Sequence, residues 1–232
     1  MRIRTLTLAA ALAAALPIAG LLPASAVGTP EPPPSPRPGP VAAAELLAKV
    51  RSCSQISNGK YRTDQTAPAT VPVCGTAGAV FWQADMDIDC DGRRTDKCNE
   101  IADPWFLPDT AFHQSDGEPL RSDTLPYVVV PGPSGIWDYR AAGITGGSVA
   151  AVVHGDQVLY AVVGDTGPQR IIGEASYAAA ERLGIDPDPA TGGTASGVTY
   201  ILFKNSRISP IESHSAAVSM GEQLAREFIA ND

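Results

Sequence analysis

The chain has 232 residues, with 17 basic against 25 acidic side chains and a formal net charge of −8 at pH 7. That balance argues against a nucleic-acid partner, whose phosphates need a basic surface. It suits a cationic ligand, which a negative cleft attracts and aligns, although acidity for solubility alone leaves the same composition.

Residues 1–26 have the plan of an export signal. Arg2 and Arg4 open it, an Ala/Leu-rich apolar run continues to residue 22, and Ala24-Ser25-Ala26 is a small-x-small cleavage site. Pro17, Pro23 and the prolines that follow argue against a retained anchor, and no later run is long and apolar enough to span a bilayer. The expected mature product starts at Val27. It is secreted and extracellular, a monomer without membrane association, and carries 15 basic against 25 acidic residues once Arg2 and Arg4 are gone. Residues 27–40 (VGTPEPPPSPRPGP) read as an extended proline-rich linker. Residues 41–232 then form one domain, long enough for a single core.

Helical spacing of Ala, Leu, Glu and Lys predicts a helix over 41–51. Residues 52–74 are polar loops. Four cysteines, Cys53, Cys74, Cys90 and Cys98, lie in the first half of the chain and should oxidise after export. Three pairings are open; closeness in sequence favours Cys53–Cys74 and Cys90–Cys98. Zinc is disfavoured, because no CxxC pair is present.

A strand is predicted over 78–86, running into an acidic row, Asp85-Met-Asp87-Ile-Asp89-Cys-Asp91-Gly92. In an extended chain Asp85, Asp87 and Asp89 share one face, with Met86, Ile88 and Cys90 on the other. Such a row repels itself unless a cation or cationic ligand neutralises it. Asp87, Asp89 and Asp91 also match the front half of a calcium loop. The position that should hold a bidentate Glu is Cys98, so the three acids are only a weak calcium candidate and no cofactor is expected. Residues 99–124 are irregular. Strands follow at 125–130, 148–153 and 157–163, the last two joined by the tight turn His154-Gly155-Asp156 as a hairpin. A helix is expected over 174–183, a long loop over 185–197, strands at 198–203 and 207–211, and an amphipathic helix over 215–230. Many short strands with few helices predict a mainly β domain, a barrel or sandwich with peripheral helices.

The chemistry centres on residues 158–177, VLYAVVGDTGPQRIIGEASY. Apolar strands break at Gly164 and Gly173, and Asp165 and Glu174 sit at the two exits, a placement suited to an acid–base pair. Taken singly, Asp165 could be a turn residue bonding its own backbone, and Glu174 an acid at a helix start. Asp165-Thr166-Gly167 also matches the aspartic-protease triplet, but the nearest second candidate, Ala195-Ser196-Gly197, lacks the acid and Pro168 departs from the pattern. His113, His154 and His214 sit in no serine-hydrolase arrangement, and no G-x-S-x-G elbow occurs.

The blocks AVFWQADMDIDCDG, LPYVVVP, GSVAAVV, YAVVGDTGPQRIIGEASY, LGIDPDPATGGTASGVTYILFKNS and PIESHSAAV together resemble family 75 glycoside hydrolases, the endo-chitosanases of fungi and actinobacteria. The resemblance runs from about residue 78 to the C-terminus. It implies a six-stranded double-psi β-barrel-like core with a few peripheral helices, and an inverting hydrolysis of chitosan. The family's catalytic acids, an Asp in the GDTGP block and a Glu in the GEAS block, fall on Asp165 and Glu174. Glu174 is the expected general acid and Asp165 the base candidate, with the reverse assignment, or Asp85 or Asp87 as the base, left open; if the reaction inverts, the two carboxyls should stand about 6.5–9.5 Å apart. Asp85, Asp87 and Asp89 are expected to contact substrate amines, and Trp82, Trp137 and Tyr139 to stack on sugar rings. The competing readings are a non-catalytic acidic polysaccharide-binding module and an aspartic-type protease.

Overall fold

The computed structural model describes residues 40–231. The signal segment and residues 27–39 of the linker lie outside them. After helix α1 (Ala43–Lys49) come strands β1 (Cys74–Gly75), β2 (Ala79–Asp89) and β3 (Tyr127–Pro131). A hairpin follows, β4 (Val149–His154) and β5 (Gln157–Gly167), then β6 (Glu174–Ser176), helix α2 (Tyr177–Arg182), β7 (Thr194–Phe203) and helix α3 (His214–Ala230).

Six of the strands close into a barrel in the order β2-β6-β3-β5-β4-β7, with β7 returning to β2 and β1 added at the start of β2. β2 is long enough to serve two neighbours. Ala79 to Met86 run antiparallel to β7, and Asp87 to Asp89 run parallel to β6. β3 and β5 form a second parallel pair. Near-continuous apolar runs such as YVVV and VAAVV fit strands covered on both faces. Val80, Trp82, Met86, Val128, Val130, Val152, Val163, Tyr200 and Leu202 fill the barrel interior. Phe81, Tyr127, Val129, Ala151, Val162, Ile201 and Phe203 face outward into a second core that takes in apolar residues of α1 and α3. No helix among the described residues is long and apolar enough to cross a membrane.

The disulfides are Cys53–Cys74 and Cys90–Cys98, and no described cysteine is free. The first ties the opening loop to β1. The second closes the loop that leaves β2.

Local readings needed four corrections. Glu174 begins a strand, not a helix; Ser176 Oγ accepts the Ala179 amide at 3.2 Å and caps α2 three residues later than expected. Residues 207–211 are irregular rather than a strand, because Pro210 lacks an amide donor and the Ile208 amide goes to the Gly147 carbonyl instead. Residues 194–197, read as loop, extend β7. Most important for the site, the chain does not leave the sheet at Gly164. β5 continues to Gly167 through a bulge: Val128 pairs with Val163, but Val129 pairs with Asp165, which leaves Gly164 as the extra residue.

The bulge needs glycine for space. A Cβ at Gly164 would lie 2.5 Å from Tyr127 Cβ and 2.8 Å from Leu120 Cδ1, both buried. Gly164→Ala is expected to lower stability by about 2–3 kcal/mol in urea unfolding. An unchanged midpoint would show that the bulge opens freely.

Candidate active cleft

The bulge decides which way Asp165 faces. Val163 points into the barrel, and the extra residue returns Asp165 to the outer face beside Val129. Glu174 reaches that face from β6, whose next residue, Ala175, is packed inside. Parallel register sets Glu174 next to Asp87 and Ser176 next to Asp89. One outer surface, spanning β2, β6, β3 and β5, therefore carries Asp87, Asp89, Glu174 and Asp165. Gly167 leaves space for the Glu174 carboxylate; any Cβ there would collide with Glu174 Oε2.

Asp89, Glu174 and Asp165 floor a cleft of about 350 Å³ lined also by Asp91, Asp103, Trp105, Leu107, Val129 and Gly167. Hydrogen bonds fix Asp165, Asp91 and Asp89. Asp165 Oδ1 accepts the amides of Ala111 at 2.8 Å and Thr166 at 2.6 Å. Asp91 Oδ1 accepts the Leu107 amide at 2.6 Å, Asp89 Oδ1 accepts the Asp91 amide at 2.7 Å, and Tyr127 Oη donates to the Asp91 carbonyl at 3.0 Å. Ser122 Oγ donates to the Asp89 carbonyl and accepts the Tyr177 amide, while Ser176 Oγ accepts the Tyr127 amide. The serines thus join β2, β3 and β6 where the carboxylates meet.

Burial shifts Glu174, Asp91, Asp89 and Asp165 the same way. Burial, followed by the charges of Asp87, Asp91 and Asp165, pushes the Glu174 carboxyl up to about 7. Burial raises Asp91 to about 6 against the opposing Leu107 hydrogen bond. Asp89 is held well above the carboxylate range by burial, Asp165 and Asp91. Asp165 is raised by burial too, but its two amide hydrogen bonds favour the ionised form. The cleft therefore has acids that keep their protons towards neutral pH, Glu174 among them, next to Asp165, whose anion two backbone donors favour.

The family model described as the fungal chitosanase of glycosyl hydrolase group 75 matches residues 86–230. The chain belongs to this family. An endo-chitosanase C of Aspergillus oryzae is 29% identical over 195 residues, covering 82% of this chain and 46% of that protein. An endo-chitosanase of Aspergillus oryzae (strain ATCC 42149 / RIB 40) is 34% identical over 144 residues, covering 56% of this chain and 58% of that protein. The chain spans about half the length of the curated relatives it matches.

Within this group 75 domain, the residues singled out from sequence divide sharply. Asp165, Glu174 and Asp89 line the one cleft, and Asp87 lies exposed beside Glu174. Asp85 is separate: it is buried, its Oδ1 has no hydrogen-bond partner, and it lines a neighbouring cavity with Gln83, Thr63 and Thr199. Its Oδ1 packs against Gly173, whose φ of +118° suits only glycine, and burial followed by Asp87 raises it to about 7. Trp82, Trp137 and Tyr139 do not face the cleft. All three are buried in the barrel core, Trp82 stacked on Tyr200 at 5.4 Å and edge-on to Trp137, so their rings pack against protein rather than lining the cleft.

The calcium half-motif is also rearranged. Asp87 and Asp89 lie in extended β2 rather than in a turn, and the acids whose oxygens converge within 4.8 Å are Asp89, Asp91 and Asp165. In the protease triplet, Asp165 meets other acids of this cleft, whereas Ala195, Ser196 and Gly197 line the separate cavity beside Asp85. Sequence reasoning missed Asp103, Trp105, Leu107 and the Ala111 amide. All come from the irregular 92–124 segment, where Asp103-Pro104 signals only a turn.

Raised acids reverse the usual pH dependence. In the unfolded chain Glu174 ionises near 4.5, while in the fold it holds its proton to about 7. Between those values the folded state binds the extra proton, so stability falls as pH rises from about 4.5 to 7 and levels off above. Asp85 and Asp91 act in the same sense. Thermal midpoints are expected to drop across this window in the wild type and to drop less in Glu174→Gln. An equal slope in both would remove Glu174 from the effect.

Proposed function

We propose that this chain hydrolyses β-1,4 linkages between glucosamine units of chitosan, cutting within the polymer and inverting the anomeric carbon, after export from the cell as a monomer. The observation that carries this reading is the asymmetry of the Glu174–Asp165 pair. Glu174 retains its proton near neutral pH under burial and three neighbouring carboxylates, whereas at Asp165, which burial also raises, two backbone amides favour the anion. Family membership and the names of the endo-chitosanase relatives support the choice of substrate.

In this mechanism Glu174 donates its proton to the glycosidic oxygen as the bond to the anomeric carbon lengthens. Positive charge grows on the sugar ring, facing Asp91 and Asp165, and fixed carboxylates stabilise such charge without reorganising. Asp165 accepts a proton from a water that attacks the anomeric carbon from the opposite face. Glu174 ends ionised and Asp165 protonated, and exchange with solvent resets the pair.

Chitosan is cationic, and its amines offset the repulsion of the acidic row. Asp87 and Asp89, with Asp85 in the adjoining cavity, are the proposed amine contacts. An amine seated at Asp87 also removes one of the charges that raise Glu174, which makes Glu174 the stronger acid once substrate is bound.

Three measurements check this reading. Glu174→Gln is expected to cut the release of reducing ends about 10²–10⁴-fold with the fold intact. Proton NMR of the anomeric region during early digestion is expected to show the α-anomer first; the β-anomer first would refute inversion. Asp87→Asn is expected to raise KM for highly deacetylated chitosan more than for partly acetylated chitosan. An equal effect on both would remove Asp87 as an amine contact.

A further inference from the structure

One wall of the cleft carries an apolar patch for which acid–base hydrolysis has no use. Of the four large apolar side chains that stand exposed among the described residues, three come from one loop: Ile101 at 92%, Trp105 at 84% and Leu107 at 61%. A single exposed apolar residue needs no explanation. Three together do, especially because Trp105 and Leu107 line the same cleft as Asp165 and Glu174.

The loop holds these side chains out by construction. Cys90–Cys98 closes its base. Asn99 Oδ1 accepts the amides of Ile101 at 2.9 Å and Ala102 at 3.1 Å, and buried Asp103 accepts the Trp105 amide at 2.8 Å. The Leu107 amide goes to Asp91 and its carbonyl accepts the Gly92 amide at 2.9 Å. Phe106 turns inward onto the disulfide, with the Arg94 guanidinium 5.8 Å from its ring. The intervening aromatic thus anchors the loop while its two apolar neighbours stay bare at the cleft.

We propose that Trp105, with Leu107 beside it, is the sugar platform of the cleft, the indole lying against one face of a glucosamine ring next to the bond to be cleaved. This rests on the chitosan reading above and adds the residue that positions the ring. A β-linked glucosamine carries its substituents equatorially, so its axial C–H bonds make both ring faces apolar while amine and hydroxyls ring the edge. Carboxylates on the floor attract the amines but are indifferent to ring orientation. An indole on the wall selects a flat apolar face and sets its register over Glu174 and Asp165, and its π face also favours a nearby ammonium.

The chain has three tryptophans, and Trp82 and Trp137 are buried, so acrylamide quenching in solution reports chiefly on Trp105. In the full-length Glu174→Gln variant, glucosamine hexamer at a concentration that saturates binding by calorimetry is expected to reduce that quenching at least about twofold. Unchanged quenching at saturation overturns the platform, as does absence of any hexamer binding. Trp105→Ala in the otherwise wild-type chain is expected to raise KM for glucosamine oligomers on the order of tenfold with kcat changed far less, an unaltered thermal midpoint, and recovery of most of the affinity in Trp105→Phe. A loss confined to kcat overturns the platform. Chitosan cleavage by the wild type, run in parallel, separates the two ideas: cleavage with an unprotected Trp105 sinks the platform alone, whereas no cleavage and no binding sinks both.

Discussion

Like charge packed onto one strip of sheet is the constraint on which the rest of this molecule depends. β2, β6 and β5 deliver Asp87, Asp89, Glu174 and Asp165 to one outer surface, and the loop after β2 adds Asp91. Carboxylates this close, and partly out of water, cannot all be ionised at little cost. They can retain protons, or they can take up positive charge from outside. Retained protons make Glu174 an acid near neutral pH. The unmet demand for positive charge suits a polymer of amines and an oxocarbenium-like transition state. The electrostatic conflict is thus the source of the proposed reactivity, and the fold holds the acids in place against it.

The barrel alone does not complete the site. Asp165 is held by the amide of Ala111, and Asp91 by the amide of Leu107, both from the irregular segment between β2 and β3. That segment is tied down by a disulfide and by side-chain caps rather than by sheet hydrogen bonds. Two kinds of structure therefore share the work. Strands place the carboxylates in fixed register, and a stapled loop supplies the donors that tune them and the apolar wall beside them. The division is physically sensible, since a ligand-facing wall needs exposed side chains that a strand packed on both faces does not offer.

How much was legible in the chain depends on the range of the interactions involved. The apolar runs that became β3, β4, β5 and most of β2 and β7 could be read directly, because β-branched residues in unbroken blocks report burial on both faces. Alternation placed Asp85, Asp87 and Asp89 on one face and Met86 on the other, since period two is a local property of an extended chain; Asp89 reaches the cleft with Asp87 beside it, whereas Asp85, where the pairing with β7 shifts register between Ala84 and Met86, lines the other cavity. The cysteine pairs followed sequence proximity. The helix assigned to 174–183 began too early because Ala-rich sequence shows where a helix is permitted, not where a neighbouring strand such as β2 claims its first residues. Trp82, Trp137 and Tyr139 were assigned to sugar and belong to the core, whereas Trp105 was passed over; composition does not reveal which aromatic faces solvent.

Sequence by itself determined the mainly β class, the two acids of the GDTGP and GEAS blocks, the acidic row and the family resemblance. These reside in local pattern and in blocks that need no partner to be recognised. Only the tertiary structure decided that Asp165 faces outward through a bulge, that Asp91 and Asp103 join the cleft while Asp85 turns to another cavity, and that Trp105 stands bare at its wall. Each of those outcomes depends on which distant segments pack together, and that is settled by barrel closure and loop stapling rather than by any stretch of neighbouring residues.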